Sequence, residues 1–168
     1  MRLPIPTNIP SFRDFYAFEL HVKNARKKRG LEMVPEWYLA PVFYFSNPAV
    51  IVGSGVDIRK PATTYELDYE LEVAVVLNKD GRDIPVEEAD SYILGFTILN
   101  DWSARDLQRA EMKVGLGPAK GKDFATSIGP DLVTPDEIAD RMTDSSKGNR
   151  YDLTMTARVN GEIGRAHV

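Results

Sequence analysis

The sequence predicts an α+β fold made mostly of β-structure. Three observations carry that expectation: strict apolar–polar alternation from Leu67 to Val73, aromatic and β-branched segments cut short by proline and glycine, and few stretches with a helical pattern. With 168 residues the chain suffices for one compact domain, or part of one, and hardly for two. No internal repeat or low-complexity linker divides it.

Taken in order, three prolines before Phe12 keep the opening extended, and Ser11 is suited to cap a helix over Arg13–Lys28 that stops at Gly30. The run EWYLAPVFYFSNPAVIVGSG, broken at Pro41, Pro48 and the glycines, predicts short strands joined by turns. In YELDYELEVAVVL, Leu67, Tyr69, Leu71 and Val73 alternate with Asp68, Glu70 and Glu72, and Asp80-Gly81 marks a hairpin turn. An acidic helix start at VEEAD then leads to a buried strand over Ile93–Leu99 and a polar helix or turn after Asp101. TPDEIADRM predicts a short helix, and YDLTMTARVNGEI an alternating strand with an Asn-Gly turn.

Charge and composition exclude several function classes. The net charge of -4 is spread along the chain, and the one basic run, Arg26 to Arg29, is too short for a nucleic-acid stripe. No apolar stretch approaches a membrane span, and MRLPIPTNIP lacks the apolar core and cleavage site of a signal peptide, so a soluble cytoplasmic chain is expected. The absence of cysteine leaves oxygen and imidazole as the only metal donors.

Chemistry concentrates in the alternating strand. Residues two apart share a face, roughly 7 Å apart at about 3.3 Å per residue, so Glu70 and Glu72 are expected to point the same way. Flanked by Leu71 and the Val73–Val76 run, two such charges call for compensation, and a divalent cation supplies it; the other reading of Glu-x-Glu is a solvated outer face. Oxygen donors favour magnesium, calcium or manganese over zinc. Asp14 and Asp101 also lie among apolar residues, and each taken singly reads first as a cap, Asp14 at a helix start and Asp101 at a strand-to-helix turn. His21, seven residues after Asp14, would share its helical face. Arg105 and Gln108, three apart, would share another. GLGPAKGKDFATSIGP, with Lys120 and Lys122, either binds an oxyanion through backbone N–H groups or is a flexible loop, and it does not meet the phosphate-loop pattern.

RDFYAFELHV, LDYELEVAVVL, GFTILNDWSARDLQ and GPAKGKDFATSIGP, in this order from residue 13 to Pro130, resemble the signature blocks of the fumarylacetoacetate hydrolase family. The resemblance implies a mixed β-sandwich roll, here incomplete, and a divalent cation, magnesium or calcium with manganese as a third choice. By motif match its carboxylate ligands fall on Asp14, Glu70, Glu72 and Asp101, with Lys122 and Thr126 beside the metal. It also implies Tyr16 as a substrate contact, His21 as general base, Arg105 and Gln108 as substrate-binding residues, and Arg29 as a further one. The implied activity is hydrolysis of a carbon–carbon bond in a dicarbonyl acid of fumarylacetoacetate or acylpyruvate type, as in aromatic amino acid catabolism. Decarboxylases and isomerases of related diacids share the scaffold, and a non-catalytic metal-binding homologue is a third outcome. Where fumarylacetoacetase proper has a tyrosine this chain has Met112, which speaks against fumarylacetoacetate itself.

The resemblance leaves the family's C-terminal half, with the acidic partner of the histidine, without counterpart. The closing EIGRAHV translates GAGATCGGAAGAGCACACGTC, which after its first base is the start of a common sequencing adapter. Residues 1–162 are therefore expected to be a partial catalytic domain of a longer, homodimeric protein, and Ile163–Val168, His167 included, to be non-biological. Such a piece is expected to gather its four carboxylates, with His21 facing the same cavity, while exposing apolar strand faces.

Overall fold

The structure, a computed structural model, describes residues 3–4, 8–144 and 149–164. Four residues of the expected adapter segment, 165–168, thus lie outside the described residues. The elements run β1 (Leu3–Pro4), β2 (Phe12–Phe15), α1 (Glu19–Lys28), β3 (Phe43–Ser46), β4 (Ile51–Val52), β5 (Leu67–Asp68), β6 (Leu71–Leu77), β7 (Ile93–Asp101), β8 (Ser103–Ala104), α2 (Arg105–Val114), β9 (Thr126–Ile128), β10 (Asp131–Leu132), β11 (Met142–Asp144), β12 (Arg150–Tyr151), β13 (Ala157–Val159) and β14 (Glu162–Gly164). The expected class, mixed α+β and mostly sheet, is what this order gives.

At the centre is a four-stranded sheet ordered β4-β9-β7-β6, with β4 and β9 parallel and the other pairs antiparallel. Alternation sets its two faces. Directly paired residues project to the same side, so Glu72 with Leu99 and Ala74 with Thr97 share one face, and Val73 with Ile98 the other. The first face is the inner one: Thr97, Leu99 and Asp101 are all buried. On the second, Val73, Val75 and Ile98 remain 39%, 48% and 64% exposed, so this apolar face is open as expected. The buried set is mixed in kind: Val22, Leu99, Ala104, Ala125, Ile128 and Leu132 share the interior with Thr64, Asp101, Ser103, Lys122 and Thr126.

Several boundaries depart from expectation. The helix expected over Arg13–Lys28 is a strand, Phe12–Phe15, followed by a helix that begins only at Glu19. Phe12 and Phe15 gain more by pairing in a ribbon with the aromatic β3 than the helical pattern offers, and Phe18 takes the extended N-cap position of α1 without a side-chain cap. Asp14 is therefore no helix cap, and it shares no helical face with His21. Asp80-Gly81 does lie in the connection of an antiparallel β6–β7 pair, but not as a tight turn: β6 ends at Leu77 with a register irregularity, and the chain returns through a 3₁₀ segment over Val86–Tyr92 before β7. That segment stands where the acidic helix start was expected. β7 and α2 follow closely the strand and helix expected around Asp101. α2 ends at Gly115, whose φ of +81° is the left-handed conformation of a helix stop. TPDEIADRM is a 3₁₀ helix, Pro135–Arg141, opened by a Thr134/Glu137 capping box. The last alternating segment pairs only as β12 and as the β13–β14 hairpin, where Asn160 and Gly161 both have positive φ, as a two-residue turn demands.

Candidate metal centre

Strand pairing delivers the first acid. In the β2–β3 ribbon Asp14 lies opposite Tyr44, so both project to the same face, while Phe15 with Phe43 and Arg13 with Phe45 project to the other. That second face is aromatic, with Phe15 and Phe43 centroids 5.1 Å apart and the Arg13 guanidinium 3.7 Å over the Phe45 ring. On the first face the Tyr44 hydroxyl lies 2.9 Å from Asp14 Oδ2 and 2.7 Å from Asp101 Oδ2. One hydroxyl proton serves these two carboxylates in turn.

The central sheet delivers the others. Asp101 ends β7 opposite Thr126 of β9, and Glu72 lies in β6 on the inner face. Asp14, Glu72 and Asp101 each present one carboxylate oxygen within 4.8 Å of the other two. A cation bound at about 2.3–2.6 Å needs ligand oxygens no further apart than roughly 5 Å, so the three fit a hard divalent ion.

Glu70, expected as the fourth ligand, is differently employed. It precedes β6 in a short break of the ladder, where its carbonyl accepts from Asp101 N at 3.0 Å and its N–H donates to Asn100 Oδ1 at 3.1 Å. Its carboxylate pairs with Lys122 Nζ through one oxygen and with Arg105 Nη1 at 2.7 Å through the other. Three of the four expected carboxylates thus come within ligand distance of one another, while the fourth, Glu70, lies beside them paired with Lys122 and Arg105. Lys122, itself 6% exposed, also lies 2.6 Å from Asp101 Oδ2. Arg105 adds Asp68 Oδ2 at 2.8 Å and donates to Gln108 Oε1 at 3.1 Å, which puts Arg105 and Gln108 on one helical face as their spacing requires.

Electrostatics follow this division. Burial first, then the charge of Asp101, raises the Asp14 carboxyl to about 6, with Tyr44 and Lys122 pulling the other way. Burial and the charges of Asp14, Asp101 and Glu70 push Glu72 up to about 9. Burial would also raise Glu70, but Lys122 and Arg105 outweigh it and hold Glu70 below its usual range. Burial works against the Lys122 ammonium, yet Glu70 and Asp101 keep it above its usual range. With every carboxyl ionised the cluster would carry more negative charge than Lys122 neutralises; the raised Asp14 and Glu72 relieve this by holding protons, which a divalent cation would replace.

The remaining expected residues lie as follows. Thr126 is buried on β9 opposite Asp101. Tyr16 follows β2, its carbonyl accepting from Trp37 Nε1 at 2.8 Å. His21 is exposed on α1 and meets the Tyr16 ring edge-on at 5.7 Å, with no bond to the carboxylates. Arg29 is exposed at the C-cap of α1. Tyr44, Asp68 and Glu111, which sequence reasoning passed over, all bond to the site or its loop. For Tyr44 a signal existed, since alternation in Phe43–Ser46 sets Tyr44 and Ser46 against two phenylalanines.

A profile described as fumarylacetoacetate (FAA) hydrolase C-terminal matches residues 11–167. The chain belongs to the fumarylacetoacetate hydrolase family. Among curated relatives, it is 36% identical to the fumarylacetoacetase of Bos taurus over 154 residues, 80% of this chain and 36% of that protein. With the fumarylacetoacetase of Arabidopsis thaliana it shares 38% over 154 residues, with the same coverage. The chain thus spans 36% of the length of these relatives. Among solved family structures, fumarylpyruvate hydrolase from Pseudomonas aeruginosa in complex with Mn2+ and pyruvate gives a TM-score of 0.62 at 25% identity, over 97% of this chain and 68% of that one. A 2-hydroxyhepta-2,4-diene-1,7-dioate isomerase from Mycobacterium marinum gives 0.58 at 33%, over 75% and 44%. Enzymes of this family use a divalent metal, and the three-carboxylate group is where the described residues would hold one.

Proposed function

We propose that this chain carries the cation site of a hydrolase that cleaves a carbon–carbon bond in a dicarbonyl acid of acylpyruvate or fumarylacetoacetate type. The observation that supports it most is the convergence of Asp14, Glu72 and Asp101 beside the buried ammonium of Lys122. Magnesium, calcium or manganese would be held by those carboxylates, with Glu70 tying Lys122 and Arg105 to them. When bound, the cation supplies Lewis-acid polarisation of the substrate's paired oxygens.

This chain's own residues would do the rest. Lys122 donates hydrogen bonds to a developing oxyanion from a site where burial strengthens them. Arg105 and Gln108 hold the substrate's carboxylate as a pair, and Arg29 and Tyr16 contribute at its other end. His21 removes a proton from water as the oxygen adds to the carbonyl carbon. The carbon–carbon bond then breaks, its electron pair leaves as an enolate, and that enolate takes up a proton. A homodimer of the full-length protein and a cytoplasmic setting complete the proposal.

A second reading is isomerisation or decarboxylation of an unsaturated diacid on the same scaffold. It is favoured by the likeness to the Mycobacterium marinum isomerase, and by Met112, half exposed on α2, at the position of a fumarylacetoacetase tyrosine. The full-length gene product, assayed with manganese or magnesium against acylpyruvates, fumarylacetoacetate, oxaloacetate and hydroxymuconate-type diacids, is expected to consume the enol absorbance of an acylpyruvate. Turnover of the diacids alone favours the second reading, and turnover of none sinks both. If His21 is the base, His21→Ala lowers turnover by about 100-fold or more at near-normal metal affinity. Unchanged turnover in that variant removes His21 from the mechanism.

A further inference from the structure

Three successive backbone N–H groups, of Ala119, Lys120 and Gly121, converge on the carboxylate of Glu111 at 3.1, 2.6 and 3.1 Å. Sequence alone leaves this glycine-rich run open between an oxyanion nest and a flexible loop. It is a nest, and its occupant is the chain's own carboxylate. Burial opposes ionisation of Glu111, and the three N–H groups outweigh it, holding the carboxyl below its usual range.

Gly121, the last residue of the nest, also holds the loop against α2 and its N-cap. Gly121 carbonyl accepts from Ala104 N at 2.8 Å, and Lys122 N donates to Ala119 carbonyl at 2.8 Å, closing the turn. A side chain at Gly121 would meet the backbone N and Cα of Gln108 at 2.8 and 2.9 Å, so the loop runs directly against the backbone of the helix that carries Arg105 and Gln108. Immediately after comes Lys122, whose long side chain reaches Asp101 and Glu70. Four rotatable bonds make a lysine ammonium a poorly placed donor unless its backbone is fixed.

We infer that Glu111 is a positioning residue: by filling the nest of residues 119–121 it fixes the backbone from which Lys122 reaches the carboxylate cluster. That Lys122 serves chemistry rests on the function proposed above, whereas its fixation by Glu111 does not.

The test is acylation of lysines in the full-length protein by an amine-reactive ester, read lysine by lysine by peptide mass spectrometry. Lys122 is expected to react slowly in the parent protein and about tenfold or more faster in Glu111→Ala, with Lys28 and Lys79 unchanged as references. Glu111→Gln keeps the shape and one acceptor oxygen, so it should restore most of the protection, to within about threefold of the parent. A Lys122 rate in folded Glu111→Ala equal to the parent's overturns the inference. Should Glu111→Ala fail to fold, hydrogen exchange in the parent decides: amides of Ala119–Gly121 exchanging at the free-peptide rate overturn it equally. In an active enzyme, kcat should fall with KM nearly constant, since Lys122 acts on the developing oxyanion. A protein without turnover whose Lys122 is freed in Glu111→Ala sinks the function and leaves the positioning intact. Unchanged Lys122 reactivity in an active enzyme does the reverse.

Discussion

Asp101→Asn is expected to lower the affinity of the full-length protein for manganese by about 100-fold or more, without unfolding it. Asp101 is 3% exposed and is the acid on which the site turns: its Oδ2 lies 2.6 Å from Lys122 Nζ and 2.7 Å from the Tyr44 hydroxyl. Asparagine keeps the shape and one acceptor oxygen, so Tyr44 and Lys122 retain a partner. What it removes is one of the three charges that would meet a divalent ion. The same change relieves Asp14 and Glu72, since Asp101 is among the charges that raise both. Metal-free Asp101→Asn should consequently be at least as stable as the parent while binding the ion far more weakly. Titration calorimetry with manganese, beside thermal unfolding in chelator, measures both. An affinity within about threefold of the parent would exclude Asp101 from the ligand set.

This asymmetry between Asp101 and Glu70 marks the limit of what the residues disclosed in advance. Asp14, Glu72 and Asp101 were all legible as acids set among apolar neighbours, and they do meet. Glu70 looked equivalent to Glu72 because period-two spacing assumes an unbroken ladder. The ladder breaks at Tyr69–Glu70, between β5 and β6, and tertiary partners 35 and 52 residues away in sequence claim its oxygens. No local pattern encodes an ion pair of that separation.

The β2 segment failed for a related reason. Phe12–Phe15 and the residues after it fit a helical pattern, and only pairing with Phe43–Ser46, some thirty residues on, makes Asp14 a strand residue facing Tyr44. Strand preference depends on a partner surface that a single segment does not display. Where the partner is near in sequence, expectation held: β7 ends at Asp101 shortly before α2, and Asn160-Gly161 turns the β13–β14 hairpin. Glu111 stayed hidden because a helical glutamate has no mark in sequence showing that a loop will fold back onto it.

Stability of the metal-free protein should fall as pH rises from about 5 to about 9, and manganese should abolish that fall. Asp14, at about 6, and Glu72, at about 9, are both raised by burial first and then by neighbouring negative charge. Unfolded carboxyls give up their protons near pH 4. Above that point the folded state binds more protons than the unfolded one, so the slope of unfolding free energy with pH is negative. Their favourable contribution is complete below the unfolded values and lost as pH climbs through the folded ones, first for Asp14 and last for Glu72, a loss on the order of a few kcal/mol. Groups with lowered values, Glu19, Glu66, Glu70, Asp106, Glu111, Asp136 and Glu137, act with the opposite sign but only below this window. Lys122, held above its usual range, stays charged throughout it. A divalent ion competes with those same protons, so its stabilisation should grow with pH and offset the loss. Thermal unfolding of the full-length protein at pH 5.5 and 8.5, in chelator and in manganese, reads the sign directly. Glu72→Gln, which cannot ionise, should flatten the chelated profile. Equal or greater stability at pH 8.5 in chelator would show that the three acids are not crowded together as described, and the case for a cation among them would go with it.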